Sequence, residues 1–430
     1  MAGDTSPDTP TGTAPEEPTA DSEPEAGAAV RAEVAAWLDD HWDHLFGADG
    51  TSADRRTGLE VLVDSGWAAP SWPTARYGRG LSPKLGRVAT EELHRRGVPG
   101  IGQDMWNLWS NSMLAYGSDE LQDRFIRPLM LGDVNMCLLY SEPGAGSDLA
   151  GIQTRAERDG DEWIINGQKV WTSGGRQAEY AMLIARSDWN VPKHQGISFF
   201  FFPMKQEGVE VRALRQATGD SRFNEVFLTD ARVPHANLFG EPNAGWRVLQ
   251  TALAYERVAM GQAQARRAGT DDRQAVRAAD SESSAPAPDL SLTELAGKLG
   301  KSVDPVTREK LMSLNAMRQV NEWNGQRAKA ELENGTSSPT ASFGKLAMSG
   351  ILHTAGSLQT EILGAEGMIG GDDSPRAADA TYSLLNAFFT SIGGGTDQVQ
   401  RNIIGERILG LPKEPSVDRD IPFRDVPKAH

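Results

Sequence analysis

The chain has 430 residues, 39% of them hydrophobic, which suits a large core and an enzyme-sized fold rather than a small binding module. Its formal net charge of -16, with no basic stripe interleaved with aromatics, lacks the electrostatic footprint of a nucleic-acid or anionic-membrane binder. Small molecules and proteins are the partners to expect, with no nucleic acid and no membrane.

Residues 1–27 hold five prolines and seven acidic residues but no Lys, Arg or aromatic. That composition cannot bury enough apolar surface to offset the entropy of ordering, so a disordered tail is expected. The start MAGDTSPDTP lacks the basic and apolar regions of a secretory signal, and no apolar run approaches the roughly 20 residues that span a bilayer, so a cytoplasmic location is expected. From 28 to 135, amphipathic segments such as VRAEVAAWLDDHW and VATEELHRRG alternate with Pro/Gly punctuation and predict an N-terminal helical domain. From 136 to 242, short β-branched and aromatic runs (EWIINGQKVWTS, YAMLIARS, GISFFFFPM, FNEVFLTDARV) predict a β-barrel or sandwich domain. Cys137, the only cysteine, sits in MCLLY, where a small thiol packs as a hydrophobe. Helical patterning returns from 243 to 412 as a C-terminal bundle, interrupted around 268–290 by an Ala/Ser/Pro/Asp-biased linker, and 413–430 reads as a tail. The fold class is therefore α+β, in the order α, β, α. The seven histidines form no H-E-x-x-H and no Cys/His cluster, so no metal site is expected.

Four segments carry the chemistry. YSEPGAGSDLAG (140–151) packs three glycines and two serines into one short span, which lets backbone N–H groups approach an anionic or polar ring system; a tight surface turn fits equally well. Its spacing is not that of a Rossmann loop, a P-loop or a hydrolase elbow. INGQKVWTSGG (165–175) reads as a hairpin, with Asn166-Gly167 as a type I′ turn pair. At about 100° per residue, WRVLQTALAYERVAMGQAQ places Trp246, Leu249, Leu253, Ala259, Met260 and Ala263 on one face, with Glu256 among them. Desolvation there would raise a carboxyl pKa towards neutrality, as a base for a weakly acidic C–H requires; a buried ion pair, with Arg257 or another helix, is the alternative. SIGGGTDQVQRNIIGERILGLP (391–412) is a glycine-rich loop running into a helix.

SEPGAGSD resembles the signature of the acyl-CoA dehydrogenase family, and INGQKVWTSGG and IGGGTDQVQRNIIGERILGLP are similar to further elements of that family. The resemblance covers roughly 28–412 and is closest over 138–257 and 391–412. It implies FAD, with Leu138, Tyr140, Ser141, Gly146 and Ser147 lining the flavin and Ser147 also reaching the substrate. Trp171 would pack against the ring system, Thr172 and Ser173 would hydrogen-bond near its reactive nitrogen, and Thr396 and Gln398 would contact the adenylate end.

Most members carry the catalytic base on a C-terminal loop within Glu-Gly-Thr, whereas the isovaleryl and long-chain types carry it on a helix just before an arginine. Glu256-Arg257 matches the second arrangement, and Gly394 stands at the loop position. The resemblance thus implies Glu256 as the base, Arg257 and Gly394 on the substrate side, and the Gly394 loop as an oxyanion donor. The implied reaction is α,β-dehydrogenation of an acyl-CoA or acyl-carrier thioester, with an electron-transfer flavoprotein as acceptor.

The family's Arg-x-x-Phe-Gly element is not found, and Glu361 in EILGAEGM replaces a glutamine that in many members contacts the cofactor's diphosphate. Some actinobacterial members pair two different subunits, so a heterotetramer stands beside a homo-oligomer. A non-catalytic or half-site partner subunit remains open, as does a same-fold flavin monooxygenase or oxidase, against which Glu256 weighs.

Overall fold

A computed structural model describes residues 23–45, 52–256, 291–333, 343–369, 373–415 and 418–427. Most of the segment expected as a disordered N-terminal tail and the whole 268–290 linker lie outside them. The chain divides into two compact units, the first ending at Ser110 and regaining Gln122–Asp133, the second holding Asn111–Leu121 and everything from Val134.

The first unit is helical: α1 (Glu23–Leu45), α2 (Ser52–Asp64), α3 (Pro83–Arg95) and α4 (Gln103–Trp106), while α5 (Leu108–Tyr116) and α6 (Asp119–Leu131) contribute residues to both units. Helix α1 begins at Glu23, inside the stretch read as tail, because the Glu- and Ala-rich run EPEAGAAV favours helix. Helix α3 starts where the Ser82 hydroxyl accepts the Leu85 amide at 3.3 Å with Pro83 next in line, and it buries Gly86, Ala89 and Leu93 along one stripe.

The second unit is built on one curled sheet of seven strands: β1 (Met136–Leu139), β2 (Arg155–Asp159), β3 (Glu162–Ser173), β4 (Tyr180–Arg186), β5 (Ile197–Pro203), β6 (Val209–Leu214) and β7 (Phe223–Pro234). The order is β1-β4-β2-β3-β7-β6, with β5 antiparallel to β4 and β1 parallel to it. Strands β4 and β5 are buried at almost every position, which is why YAMLIAR and ISFFFFP show no polar alternation.

The expected turn at Asn166-Gly167 is not there. Both residues lie inside β3, and the β2–β3 connection is made at Gly160, which takes φ +60°. Gly167 instead marks a bulge, where a Cβ would come within 2.8 Å of Thr154 Cα, and Asn166 reaches across the sheet to exchange hydrogen bonds with Asp230, at 2.9 Å each way.

The helices that follow are α7 (245–256 as far as described), α8 (Leu292–Lys298), α9 (Pro305–Glu333), α10 (Phe343–Leu363), α11 (Pro375–Ile392) and α12 (Asp397–Ile403). Leu295, Leu311, Leu314, Ile351, Leu358 and Ile362, with Ala380 of α11, form a common core of α8, α9, α10 and α11. Helices α10 and α11 approach closely at Gly356, whose absent Cβ would lie 2.8 Å from Leu384 Cα. Among the described residues no helix is long and apolar enough to cross a membrane.

Candidate functional site

The YSEPGAGSD loop leaves the end of β1 and is held by β3. Thr172 Oγ1 donates to the Leu138 carbonyl at 3.2 Å, the Val170 amide to Ser141 O at 2.9 Å, and Lys169 Nζ to Tyr140 O at 3.1 Å. Glu142 is buried and accepts Lys169 Nζ at 2.8 Å, the Gln153 amide at 2.6 Å and the Thr154 amide at 2.9 Å. Burial pushes its carboxyl pKa up, but the Lys169 charge and these hydrogen bonds outweigh that and hold it below the usual glutamate value.

Paired backbone hydrogen bonds between Glu142 and Ala145 close a tight turn, leaving Gly144, Gly146 and Ser147 exposed. The far end of the loop hangs on Arg186, which is fully buried and donates to Ala150 O at 2.6 Å, Ile152 O at 3.1 Å and Lys193 O at 3.1 Å. Burial lowers its pKa to about 10, so the guanidinium keeps its charge at neutral pH.

Neither backbone angle nor packing calls for glycine at 144 or 146: neither takes a positive φ, and a Cβ at either would meet no protein atom within 4 Å. The loop therefore leaves room at these positions for a group to approach its backbone.

A second irregularity in the β3–β7 register, between Lys169 and Thr172, re-aims Trp171. The residue takes φ +63° and its indole is 58% exposed, while Thr172 beside it is buried and its carbonyl accepts Asn224 Nδ2 at 2.9 Å. A large apolar ring held outward on a strained backbone is a constructed face. Ser173 lies exposed next to it.

From Trp171 an aromatic chain runs to the bundle, with Phe223 at 6.0 Å between ring centroids and Phe389 of α11 5.6 Å beyond. The Phe389 ring in turn packs on Gly393, where a Cβ would sit 3.0 Å from it. The glycine-rich loop is thereby brought to the bulge of β3.

In that loop Gly394 and Gly395 take φ +67° and +92°. The Thr396 hydroxyl accepts the Val399 amide at 3.1 Å and caps α12, while Gln398 is exposed. Asp397 accepts Ser349 Oγ at 2.7 Å and Lys345 Nζ at 3.1 Å, anchoring the loop to α10.

On α7 the most buried positions are Val248, Leu249 and Ala252, with Trp246 and Leu253 half-buried at the margin, so the stripe is turned slightly from the expected one. Glu256, half-buried, continues that column one turn beyond Ala252, whereas Arg247 and Gln250 face solvent. Thr251 is tied to Tyr116 Oη at 2.9 Å. The Glu256 charge is felt at Tyr140: burial, and after it that charge, pushes the Tyr140 phenol well above its ordinary pKa. Arg257, Ala259, Met260 and Ala263 lie outside the described residues.

Leu138, Tyr140, Ser141, Trp171 and Thr172 thus come together at one end of the sheet, with the Glu256 charge felt at Tyr140. Sequence reading missed Glu142, Lys169 and Arg186, the buried charges that shape the loop. Their one visible signal is a lysine in the otherwise apolar half of β3, KVW.

Two family models match the chain: acyl-CoA dehydrogenase, middle domain, over 137–231, and acyl-CoA dehydrogenase, C-terminal domain, over 243–409. Acyl-CoA dehydrogenase FadE34 of Mycobacterium tuberculosis is 36% identical over 82% of this chain, which spans 46% of that protein, about half its length. Acyl-CoA dehydrogenase IpdE1 of the same organism is 33% identical, over 89% of this chain and 97% of the relative. The solved structure Tcur3481-Tcur3483 steroid ACAD superposes with a TM-score of 0.61 at 26% identity, covering 93% of this chain and 99% of that one.

Proposed function

The chain belongs to the acyl-CoA dehydrogenase family, and from that premise we propose that it catalyses α,β-dehydrogenation of an acyl thioester, with Glu256 removing the α-proton. The position of Glu256 carries this reading: it is a half-buried carboxylate at the end of the α7 apolar column, coupled to buried Tyr140 in the loop that begins the 137–231 family match. FAD is the cofactor expected of the family, and the residues fit it. Gly144 and Gly146 leave open approach to the loop backbone, Ser147 and Ser173 are exposed to hydrogen-bond it, and Trp171 offers an indole face.

When bound, FAD supplies the acceptor for the β-hydrogen, which leaves as hydride. Glu256 takes the α-proton, and its half-buried setting limits its water. The N–H groups of Gly394 and Gly395 would stabilise charge on the thioester oxygen, and the Trp171–Phe223–Phe389 wall would exclude solvent. An electron-transfer flavoprotein is the proposed acceptor.

The glycines give a test of the cofactor site that does not depend on turnover. Gly144→Ala and Gly146→Ala should each leave the unfolding midpoint nearly unchanged, because the methyl meets no protein atom within 4 Å. FAD affinity should nevertheless fall about tenfold or more, since a Cβ blocks close approach to the backbone. Fluorescence titration of the apoprotein would measure it, and unaltered affinity in both variants would refute this placement.

Turnover itself is tested by purifying the full chain, reading its flavin absorbance and adding acyl-CoA without oxygen. Bleaching with formation of the trans-2-enoyl thioester is expected. Hydrogen peroxide or a hydroxylated product in air would favour an oxidase or monooxygenase.

A half-site role in a paired assembly is the second reading, favoured by Glu361. Its carboxylate is exposed on α10 and bonded to Lys310, an anion where a neighbour's diphosphate would be repelled. Exposed Val306, Met317, Val320 and Trp323 on α9 leave an apolar surface for another subunit. FadE34, about twice as long, has room for a second such unit. On this reading the chain pairs with a related subunit and takes a steroid-derived acyl group, as the name Tcur3481-Tcur3483 steroid ACAD suggests for that protein. Absence of flavin from the lone chain, and its appearance on co-expression with a related subunit, is the outcome expected here.

A further inference from the structure

We propose that residues 418–427, within the stretch 413–430 expected to be a tail, are a positioning element for the YSEPGAGSD loop, acting through Arg186 and Lys193. The segment is docked by specific contacts. The Phe423 amide donates to Val191 O at 2.9 Å, the Arg424 amide to Trp189 O at 3.0 Å, and the Arg424 guanidinium to Asn190 Oδ1 at 2.7 Å. Phe423 is buried, and its ring centroid lies 3.4 Å from the Arg186 guanidinium carbon.

This ring is part of what excludes water from Arg186. The guanidinium spends its donors on carbonyls at the far end of the signature loop, Ala150 and Ile152, and on Lys193. Without the cover of Phe423, water competes for those donors and the loop loses its anchor. The second link is ionic. Lys193 Nζ bridges Asp148 of the loop, at 3.0 Å, and Asp418 of the segment, at 2.6 Å. The segment thus holds the loop from two sides, by an aromatic lid on its buried arginine and by a shared lysine.

Aromatic coverage of a cation and buried hydrogen bonds act locally, so the effect should be confined to the loop. The consequence for FAD rests on the dehydrogenase reading above; the effect on the loop does not. Hydrogen exchange of the full chain, without added cofactor, reads the loop directly. In Phe423→Ala the amides of Gly151, Gln153 and Thr154 should exchange about tenfold faster, while those pairing β6 with β7 stay as in the parent. Phe423→Tyr, which keeps the ring, should restore protection, and Phe423→Leu, which covers without a π face, should fall between. Asp418→Asn should give a smaller acceleration at the same amides, because the Lys193–Asp148 contact survives.

FAD dissociation, followed by flavin fluorescence, should rise in the same order of variants. Unchanged exchange in Phe423→Ala overturns the proposal, as does acceleration spread evenly over the sheet. Altered exchange with unchanged FAD release would keep the positioning role and instead count against the placement of FAD at this loop.

Discussion

Glu256→Gln is expected to slow anaerobic flavin bleaching by acyl-CoA about 10²- to 10⁴-fold, the usual contribution of a positioned general base. Glutamine keeps the size of the side chain and its hydrogen-bonding capacity, so thioester binding should be nearly unchanged and the loss should fall on the rate. Stopped-flow absorbance separates the two, because the amplitude of the binding phase persists when proton removal fails. Bleaching at the parental rate would remove Glu256 from the mechanism. The obvious competitor is the glycine-rich loop, and its conformation speaks against it: Gly394 takes φ +67°. A glutamate placed there would bear roughly 1–3 kcal/mol of backbone strain. Gly394→Glu in the Glu256→Gln background is therefore expected to recover little activity.

Much of the architecture was legible because hydrophobic period distinguishes the regions. VATEELHRRG repeats at helical spacing and became α3, and ISFFFFP, too short for a helix and β-branched at its start, became the doubly covered β5. The Asn166-Gly167 pair misled, because a dipeptide that favours positive φ serves a bulge as well as a hairpin. Deciding between them required Thr154 against Gly167 and Asp230 across from Asn166, neither of which is local in sequence.

The site divides in the same way. Glu256, the proposed base, could be singled out because its own helix supplies an apolar context. Lys169, Glu142 and Arg186 could not, since isolated charged residues are ordinarily solvated and only their mutual placement shows otherwise. Trp171 was ambiguous for the opposite reason: tryptophan in a strand is usually core, and only the register shift beside it turns the indole out to 58% exposure.

Lys169→Met should be among the most destabilising single changes in the sheet. It removes the cation from a pair whose side chains are 0% and 8% exposed, leaving the Glu142 carboxylate buried with amide donors alone. Breaking such a pair on one side costs about 3–5 kcal/mol, whereas Lys169→Met with Glu142→Gln should recover part of it by removing the orphaned charge. Urea unfolding at neutral pH measures both.

The pair also sets a pH dependence. Burial raises the Glu142 pKa and Lys169 lowers it further, so the folded value lies below the ordinary 4.5 and the unfolded chain binds the proton more tightly. Stability from this group is thus fully present above the unfolded value and is lost as pH falls through the folded one. Glu142→Gln should therefore lose less stability than the parent on acidification, and parallel curves would show that the pair does not govern that limb. Because Glu142 also receives the Gln153 and Thr154 amides, the loop should loosen before the sheet does. Flavin release below about pH 4.5, ahead of global unfolding, is the functional sign expected of that order.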